Sequence, residues 1–144
     1  MHNILFVCTA NIFRSRFAEE VFNFLAIKEK VPARAFSAGL KVGEYHIRKI
    51  YRPALEQLEK LNIKPRRPNE LSLHINEEEL TKYDQLICMD EAEHKPMVLS
   101  NSKLKEFNFE YWDIIDEPKV QSDVSLPICY KKVKELVDGL KNKT

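Results

Sequence analysis

Residues 4–15, which read ILFVCTANIFRS, decide the fold of this 144-residue chain. Residues 4–7 are all apolar, a composition typical of a strand that is buried on both faces of a parallel sheet. From Phe17 to Leu25, apolar residues recur at three- and four-residue spacing, which is the pattern of an amphipathic helix. A buried strand followed at once by such a helix predicts the first unit of an α/β fold.

The same alternation of strands and helices continues along the rest of the sequence. Further strands are predicted at residues 35–38, 83–89 and 111–115, and helices at residues 15–30, 53–61, 91–99 and 128–140. Asn76 precedes an acidic turn that favours another helix start, and residues 116–127 are predicted as a loop. Because no repeat or linker divides the chain, we expect one α/β domain over residues 1–144, with a parallel sheet and helices on both faces.

The composition is that of a globular protein in a reducing compartment. The 23 basic and 22 acidic residues leave a net charge of +1, which gives no reason to expect nucleic acid or membrane binding. No apolar run is long enough for a signal peptide or a membrane span. Three widely spaced cysteines indicate neither a disulfide framework nor a zinc site. We therefore expect a cytoplasmic protein.

The loop from Cys8 to Ser15 lies where parallel sheets bind ligands, beyond the carboxyl end of the first strand. Successive backbone N–H groups of such a loop can converge on phosphate oxygens, and the following helix N-terminus adds positive potential. Arg14 can fold back and hold two of the oxygens. The predicted phosphate-binding residues are Thr9, Ala10, Asn11, Ile12, Phe13, Arg14 and Ser15.

Cys8 is the candidate nucleophile of this loop. The field that holds a phosphate dianion also stabilises a thiolate, and Ser15 is placed to donate a hydrogen bond to that thiolate. Asn11 is a residue type that tolerates the left-handed backbone that tight anion-binding loops need. The alternative is that Cys8 is a small buried apolar residue and Arg14 a surface residue. The position of the loop between strand and helix favours catalysis.

The chain resembles the low-molecular-weight protein tyrosine phosphatase family, whose signature is Val-Cys-x-x-Asn-x-x-Arg-Ser. Val7, Cys8, Asn11, Arg14 and Ser15 match that signature, and the resemblance continues through residues 37–39, 53–54, 83–84 and 89–90. It implies a four-stranded parallel sheet flanked by helices. It also implies a phosphatase that hydrolyses phosphate monoesters, with protein phosphotyrosine as the expected substrate, through a phosphocysteine intermediate and without a cofactor.

The general acid is less clearly marked than the nucleophile. Members of the family use the aspartate of an Asp-Pro pair, but residues 112–118 read WDIIDEP, with one residue too many. We favour Asp116, since the preceding Asp113 and Ile114 match the family at that offset. Glu117, beside Pro118, is the alternative acid. A third possibility is that Asp116 and Glu117 are both solvated loop residues.

Aromatic residues that flank a substrate ring are also missing from their usual place. Lys119 and Val120 stand after the acid, where phosphotyrosine phosphatases of the family often have aromatic side chains. Tyr45 or Tyr51 could supply an aromatic wall from another loop. The sequence alone favours surface or core roles for both tyrosines, which leaves the preference for phosphotyrosine open.

Two further departures lie in and beside the loop. Phe13 occupies the position of a second cysteine that many relatives use to shield the nucleophile in a disulfide, so Cys8 is expected to lack that protection. Arg16 replaces the usual proline after Ser15. It is predicted either to add charge at the rim of the site or to be a solvated residue of the first helical turn.

Two other functions compete with a phosphatase. A thioredoxin-coupled arsenate reductase shares the fold, but its second relay cysteine is missing, since Lys95 and Pro96 stand there and Cys129 is too distant. Cys88 is therefore interpreted as a buried strand residue. The other alternative is a catalytically weak module that binds phosphate or phosphoproteins.

The expected partners follow from the phosphatase interpretation. They are a phosphorylated protein or a small phosphate monoester, and neither nucleic acid nor a membrane is expected. The protein itself is expected to be a monomer or a weak homodimer. The histidines do not group at metal-ligand spacing, so no metal is expected and surface roles are predicted for His2, His46, His74 and His94.

Overall fold

A four-stranded parallel sheet forms the centre of the molecule. The computed structural model describes residues 1–43, 48–117 and 119–143. Its strands are β1 (His2–Cys8), β2 (Ala33–Gly39), β3 (Gln85–Cys88) and β4 (Glu110–Tyr111), in the order β2-β1-β3-β4. All three strand pairs are parallel, and β1 lies between β2 and β3. The predicted single-domain α/β fold is confirmed.

Helices cover both faces of this sheet, as predicted. They are α1 (Arg14–Lys28), α2 (Arg52–Lys60), α3 (Glu91–Leu99) and α4 (Ser122–Lys141), with short 3-10 helices at Ile75–Glu77 and Leu80–Lys82. One core cluster joins the sheet to α1, α2 and α4, and a second joins the opposite face to α3 and the 3-10 helices. None of the described helices is long and apolar enough to cross a membrane.

The alternation of side chains along β1 explains why its sequence is apolar throughout. Ile4, Phe6 and Cys8 belong to the first core cluster, whereas Leu5 and Val7 belong to the second. Each of these side chains is buried, because the central strand has no solvent-facing side. Strand β1 therefore places Cys8 at the carboxyl edge of the sheet, and the preceding residues 4–7 are fully buried in the core.

Three elements differ most from the sequence prediction. The acidic turn after Asn76 forms only a 3-10 helix, and the fourth strand ends at Tyr111 because its partner β3 ends at Cys88. Helix α4 begins at Ser122, not at residue 128, and contains Pro127. That proline removes one backbone hydrogen bond from the second turn only, so the long helix tolerates it.

Candidate active site

The loop between β1 and α1 presents unpaired backbone N–H groups. Those of Ala10 to Phe13 donate no hydrogen bond to any described residue. Asn11 adopts the left-handed conformation with φ 57°, as the sequence predicted. Gly39 lies against the loop so closely that an added Cβ would come within 2.8 Å of the Thr9 carbonyl oxygen. The backbone is thus shaped for an anion.

Cys8 lies at the base of the loop with 3% of its surface exposed. Its Sγ is 2.9 Å from Ser15 Oγ, and Asn11 Nδ2 donates to the same Oγ at 2.9 Å. Asn11 Oδ1 accepts the N–H of Leu73, which fixes the orientation of the amide. Ser15 Oγ therefore lies between the Asn11 amide, whose N–H it accepts, and Cys8 Sγ, with which it shares a hydrogen bond.

Arg14 is the first residue of α1 and is almost fully buried beside Cys8. Its Nη1 donates to the Ile114 carbonyl at 2.9 Å, and its Nη2 lies 2.9 Å from Glu93 Oε2 and 3.4 Å from Asp116 Oδ2. Burial by itself lowers the pKa of Arg14, but the charges of Cys8, Glu93 and Asp116 outweigh burial and raise it. Arg14 therefore stays a cation.

The two candidate acids have different surroundings. Asp116 is half-buried, and burial raises the pKa of its carboxyl against the opposing charge of Arg14. Its Oδ1 accepts the N–H of Glu117 at 2.9 Å. Glu117 Oε2 accepts the N–H of Ser122 at 3.2 Å and so occupies the N-terminus of α4. Both carboxylates line the pocket, but only that of Asp116 contacts Arg14.

The sequence analysis missed Glu93 and His94, on the first turn of α3. Glu93 Oε2 accepts hydrogen bonds from Arg14 and from the Thr9 hydroxyl, and His94 Nε2 lies 3.2 Å away. His94 is fully buried, so its predicted surface role is wrong. One signal was available: both residues follow β3, whose carboxyl end lies beside that of β1.

The sequence predicted that Arg16 lies at the rim of the site or is solvated, and both predictions are wrong. It is fully buried, and its Nη1 and Nη2 donate to the carbonyls of Glu70 and Arg67 at 3.0 and 2.6 Å. Glu20 accepts the backbone N–H of Arg66 and Arg67. These contacts tie residues 66–70 to α1. A proline at this position could not donate to these carbonyls.

The candidate site opens into a pocket of about 340 Å³. Its wall includes Tyr51, whose ring packs edge-on against Phe13 at 5.6 Å and whose N–H donates to the Ile12 carbonyl. Tyr51 packs against the first core cluster, in line with the predicted surface or core role, and its ring also borders the pocket. Tyr45 lies outside the described residues. The pocket is lined by Cys8, Thr9, Ala10, Ile12, Phe13, Arg14, Tyr51, Asp116 and Glu117.

The two other thiols are buried in the core. Cys88 is buried in β3, as predicted, and belongs to the core cluster opposite to that of Cys8. Burial, followed by the charge of Cys8, raises the pKa of Cys88. Burial also raises the pKa of Cys129 to about 12. Within the described ranges no three side chains group as metal ligands; the predicted surface position of His46 lies outside those ranges.

This site and fold define a class of α/β proteins with a cysteine- and arginine-containing loop between the first strand and the first helix. The low molecular weight phosphotyrosine protein phosphatase family matches residues 3–143. The chain therefore belongs to that family. No curated protein matches the chain significantly.

Solved structures share the fold at low sequence identity. YfkJ from Bacillus subtilis is 24% identical, with a TM-score of 0.83 over 100% of this chain and 97% of its own. A low molecular weight protein tyrosine phosphatase from T. tengcongensis is 24% identical, with a TM-score of 0.75 and full coverage of both chains. An arsenate reductase from Archaeoglobus fulgidus is 23% identical, with a TM-score of 0.70 over 94% of this chain and 98% of its own.

Proposed function

We propose that this protein is a phosphatase that hydrolyses phosphate monoesters, with phosphotyrosine in proteins as its main substrate, through a phosphocysteine intermediate. The observation that carries the proposal is the placement of Cys8 Sγ at 2.9 Å from Ser15 Oγ, beneath a loop of unpaired N–H groups and beside Arg14. Family membership supports a phosphorylated substrate.

The residues of the pocket account for each step of such a reaction. Cys8 Sγ attacks phosphorus and forms an S–P bond while the ester P–O bond breaks, and Asp116 gives its proton to the departing oxygen. Arg14 and the N–H groups of residues 9–15 stabilise the charge on the equatorial oxygens. The Asp116 carboxylate then takes a proton from water, which attacks phosphorus and breaks the S–P bond to release phosphate and the Cys8 thiolate.

Asp116 suits the acid role better than Glu117. The raised pKa of Asp116 keeps more of it protonated, which an acid needs at the start of the reaction. The carboxylate of Glu117 is instead used to cap α4 through the Ser122 N–H. Moving Glu117 over the pocket would leave that helix end without its acceptor.

Tyr51 supports an aromatic substrate. Its ring and that of Phe13 border the pocket that leads down to Cys8, so the phenyl ring of phosphotyrosine can lie against an aromatic wall there. Lys119 and Val120 do not supply this wall, as the sequence indicated. The expected substrate class thus rests on a residue of the loop before α2.

The three free, buried cysteines bear on the rival functions. Cys88 and Cys8 lie in core clusters on opposite faces of the sheet, which argues against a relay of disulfides to Cys88. Asp116 at the mouth of the pocket argues against a module without an acid. Free thiols also agree with a reducing compartment such as the cytoplasm.

Hydrolysis of para-nitrophenyl phosphate by the purified chain tests the proposal. We expect turnover that Cys8→Ser abolishes and that Cys129→Ala, a matched change of a second buried thiol, retains. Arsenate-dependent oxidation of NADPH, supplied with thioredoxin and its reductase, should be absent. Hydrolysis that persists in Cys8→Ser, or a folded wild-type chain that binds phosphate without turnover, would refute the phosphocysteine mechanism.

A further inference from the structure

We propose that Glu93 is a positioning residue that holds the Arg14 guanidinium and thereby leaves Asp116 free to carry the proton for the leaving group. This inference rests on the proposed function, because it concerns the acid step of the same reaction. Glu93 lies in the first turn of α3, at the carboxyl edge of the sheet, and does not line the pocket itself.

Two carboxylates share one nitrogen of Arg14. Glu93 Oε2 lies 2.9 Å from Nη2, whereas Asp116 Oδ2 lies 3.4 Å from the same atom. The Nη1 group is already used by the Ile114 carbonyl. Because Glu93 has the shorter contact, the pairing of Arg14 with Asp116 is the weaker of the two. A strong pairing with Asp116 would favour the deprotonated acid.

The contacts around Glu93 keep it in place and ionised. Its Oε2 also accepts a hydrogen bond from the Thr9 hydroxyl. His94 Nδ1 accepts the N–H of Asp90, so the neutral ring carries its proton on Nε2, which faces Thr9 Oγ1 and Glu93 Oε2. Burial opposes ionisation of Glu93, but the hydrogen bonds from His94, Arg14 and Thr9 outweigh it and hold its pKa well below its usual range.

An ionised Glu93 favours the protonated form of Asp116. Arg14 from α1, Glu93 from α3 and the neighbouring Glu117 are the charged groups that face Asp116. Burial raises the pKa of Asp116 most, Arg14 lowers it, and the charges of Glu93 and Glu117 raise it. Removing the charge of Glu93 takes away a repulsion and also frees Arg14 to pair with Asp116. Both changes favour the carboxylate form of Asp116.

The pH dependence of kcat/KM for Glu93→Gln measures this effect. Phenyl phosphate is the substrate, because its poor leaving group needs an acid. Asp116 works as an acid when protonated, so kcat/KM falls as pH rises through its pKa. We expect this falling limb to move to lower pH by about one unit in Glu93→Gln, as typical for loss of a nearby charge. The KM for phenyl phosphate should not rise, since the pocket becomes more positive.

Glu91→Gln is the matched control, because it removes the same charge from the same helix at an exposed position. Its pH profile should coincide with that of the wild-type chain. Glu93→Asp keeps the charge but lengthens the contact with Arg14, so its falling limb should lie between those of wild type and Glu93→Gln. It also serves as the test if Glu93→Gln does not fold.

The outcomes separate this inference from the proposed function. A wild-type chain without Cys8-dependent hydrolysis refutes both. If hydrolysis depends on Cys8 but folded Glu93→Gln keeps the wild-type falling limb, the role of Glu93 is refuted and the phosphatase stands. Equal shifts in Glu93→Gln and Glu93→Asp also refute it, because the charge then has no part in the effect. If only Glu93→Asp folds, an unshifted limb in that variant refutes it.

Discussion

Arg14 and Arg16 are two buried arginines on the same turn of α1, and they have contrasting partners. Arg14 contacts the carboxylates of Glu93 and Asp116 next to the pocket. Arg16 donates to two backbone carbonyls of the segment 66–70, on the other side of the helix. Charge alone therefore does not mark the functional arginine.

The two arginines differ in whether a ligand could replace one of their hydrogen-bond partners. The contact of Asp116 with Arg14 is long, and Asp116 is half-exposed, so an incoming phosphate can take its place. The carbonyls bound by Arg16 belong to residues that do not line the pocket. Arg14 belongs to a set of contacts that can change during a reaction, whereas Arg16 braces the loop segment against the helix.

The largest expected effect comes from the same substitution at each arginine. Arg14→Lys should lower kcat/KM for para-nitrophenyl phosphate by about a hundred- to a thousandfold, because lysine keeps the charge but loses the planar pair of donors. Arg16→Lys should cost less than about tenfold, since its partners lie outside the pocket. Steady-state kinetics on both folded variants measures the contrast. Equal losses would mean that the two arginines do not divide the roles in this way.

The fold was predictable because short patterns of apolar residues in the sequence indicate which strands and helix faces are buried. The apolar run of β1 and the spacing along α1 each specify an element within a few residues. The bounds of β4 and the start of α4 were missed, because they depend on where the partner strand β3 ends and on a proline that a long helix tolerates.

The site was predictable only where it is local. Cys8 and Arg14 share one loop, so their spacing and context indicate a common role. Asp116 lies 102 residues from Arg14 along the chain, and Glu93 lies 79 residues away. Asp116 was indicated only through the family resemblance, and no motif indicated Glu93. Arg16 was misplaced because its partners come from residues 67 and 70, so tertiary contacts decide the positions of Glu93 and Arg16.

A stability measurement tests whether Arg16 braces the segment 66–70 against α1. Arg16→Met should lower the free energy of unfolding by about 3 kcal/mol, because it leaves two part-buried carbonyls without their donors and removes a buried cation beside Glu19 and Glu20. Urea denaturation measures this change. Arg66→Met, at an exposed side chain of the same segment, is the control and should cost less than about 0.5 kcal/mol. Similar values for the two variants would contradict the bracing role of Arg16.

The neighbouring acids Asp116 and Glu117 also divide into a functional and a structural residue. Substitutions at these two acids have the smallest expected effect. Asp116→Asn should reduce kcat/KM for para-nitrophenyl phosphate by about a hundredfold, near the lower end for a general acid because this leaving group is good. Glu117→Gln should stay within about threefold of wild type in activity, but lose about 1 kcal/mol of stability through the weakened cap of α4.

The pH profile decides between these two acids more sharply than the rates do. Since the pKa of Asp116 is raised and its protonated form is the acid, wild-type kcat/KM should fall as pH rises through that value. Asp116→Asn has no proton to lose there, so its falling limb should disappear, whereas Glu117→Gln should keep it. A limb that survives in Asp116→Asn and vanishes in Glu117→Gln would transfer the acid role to Glu117. The carboxylate that caps α4 would then have to leave the helix during each turnover.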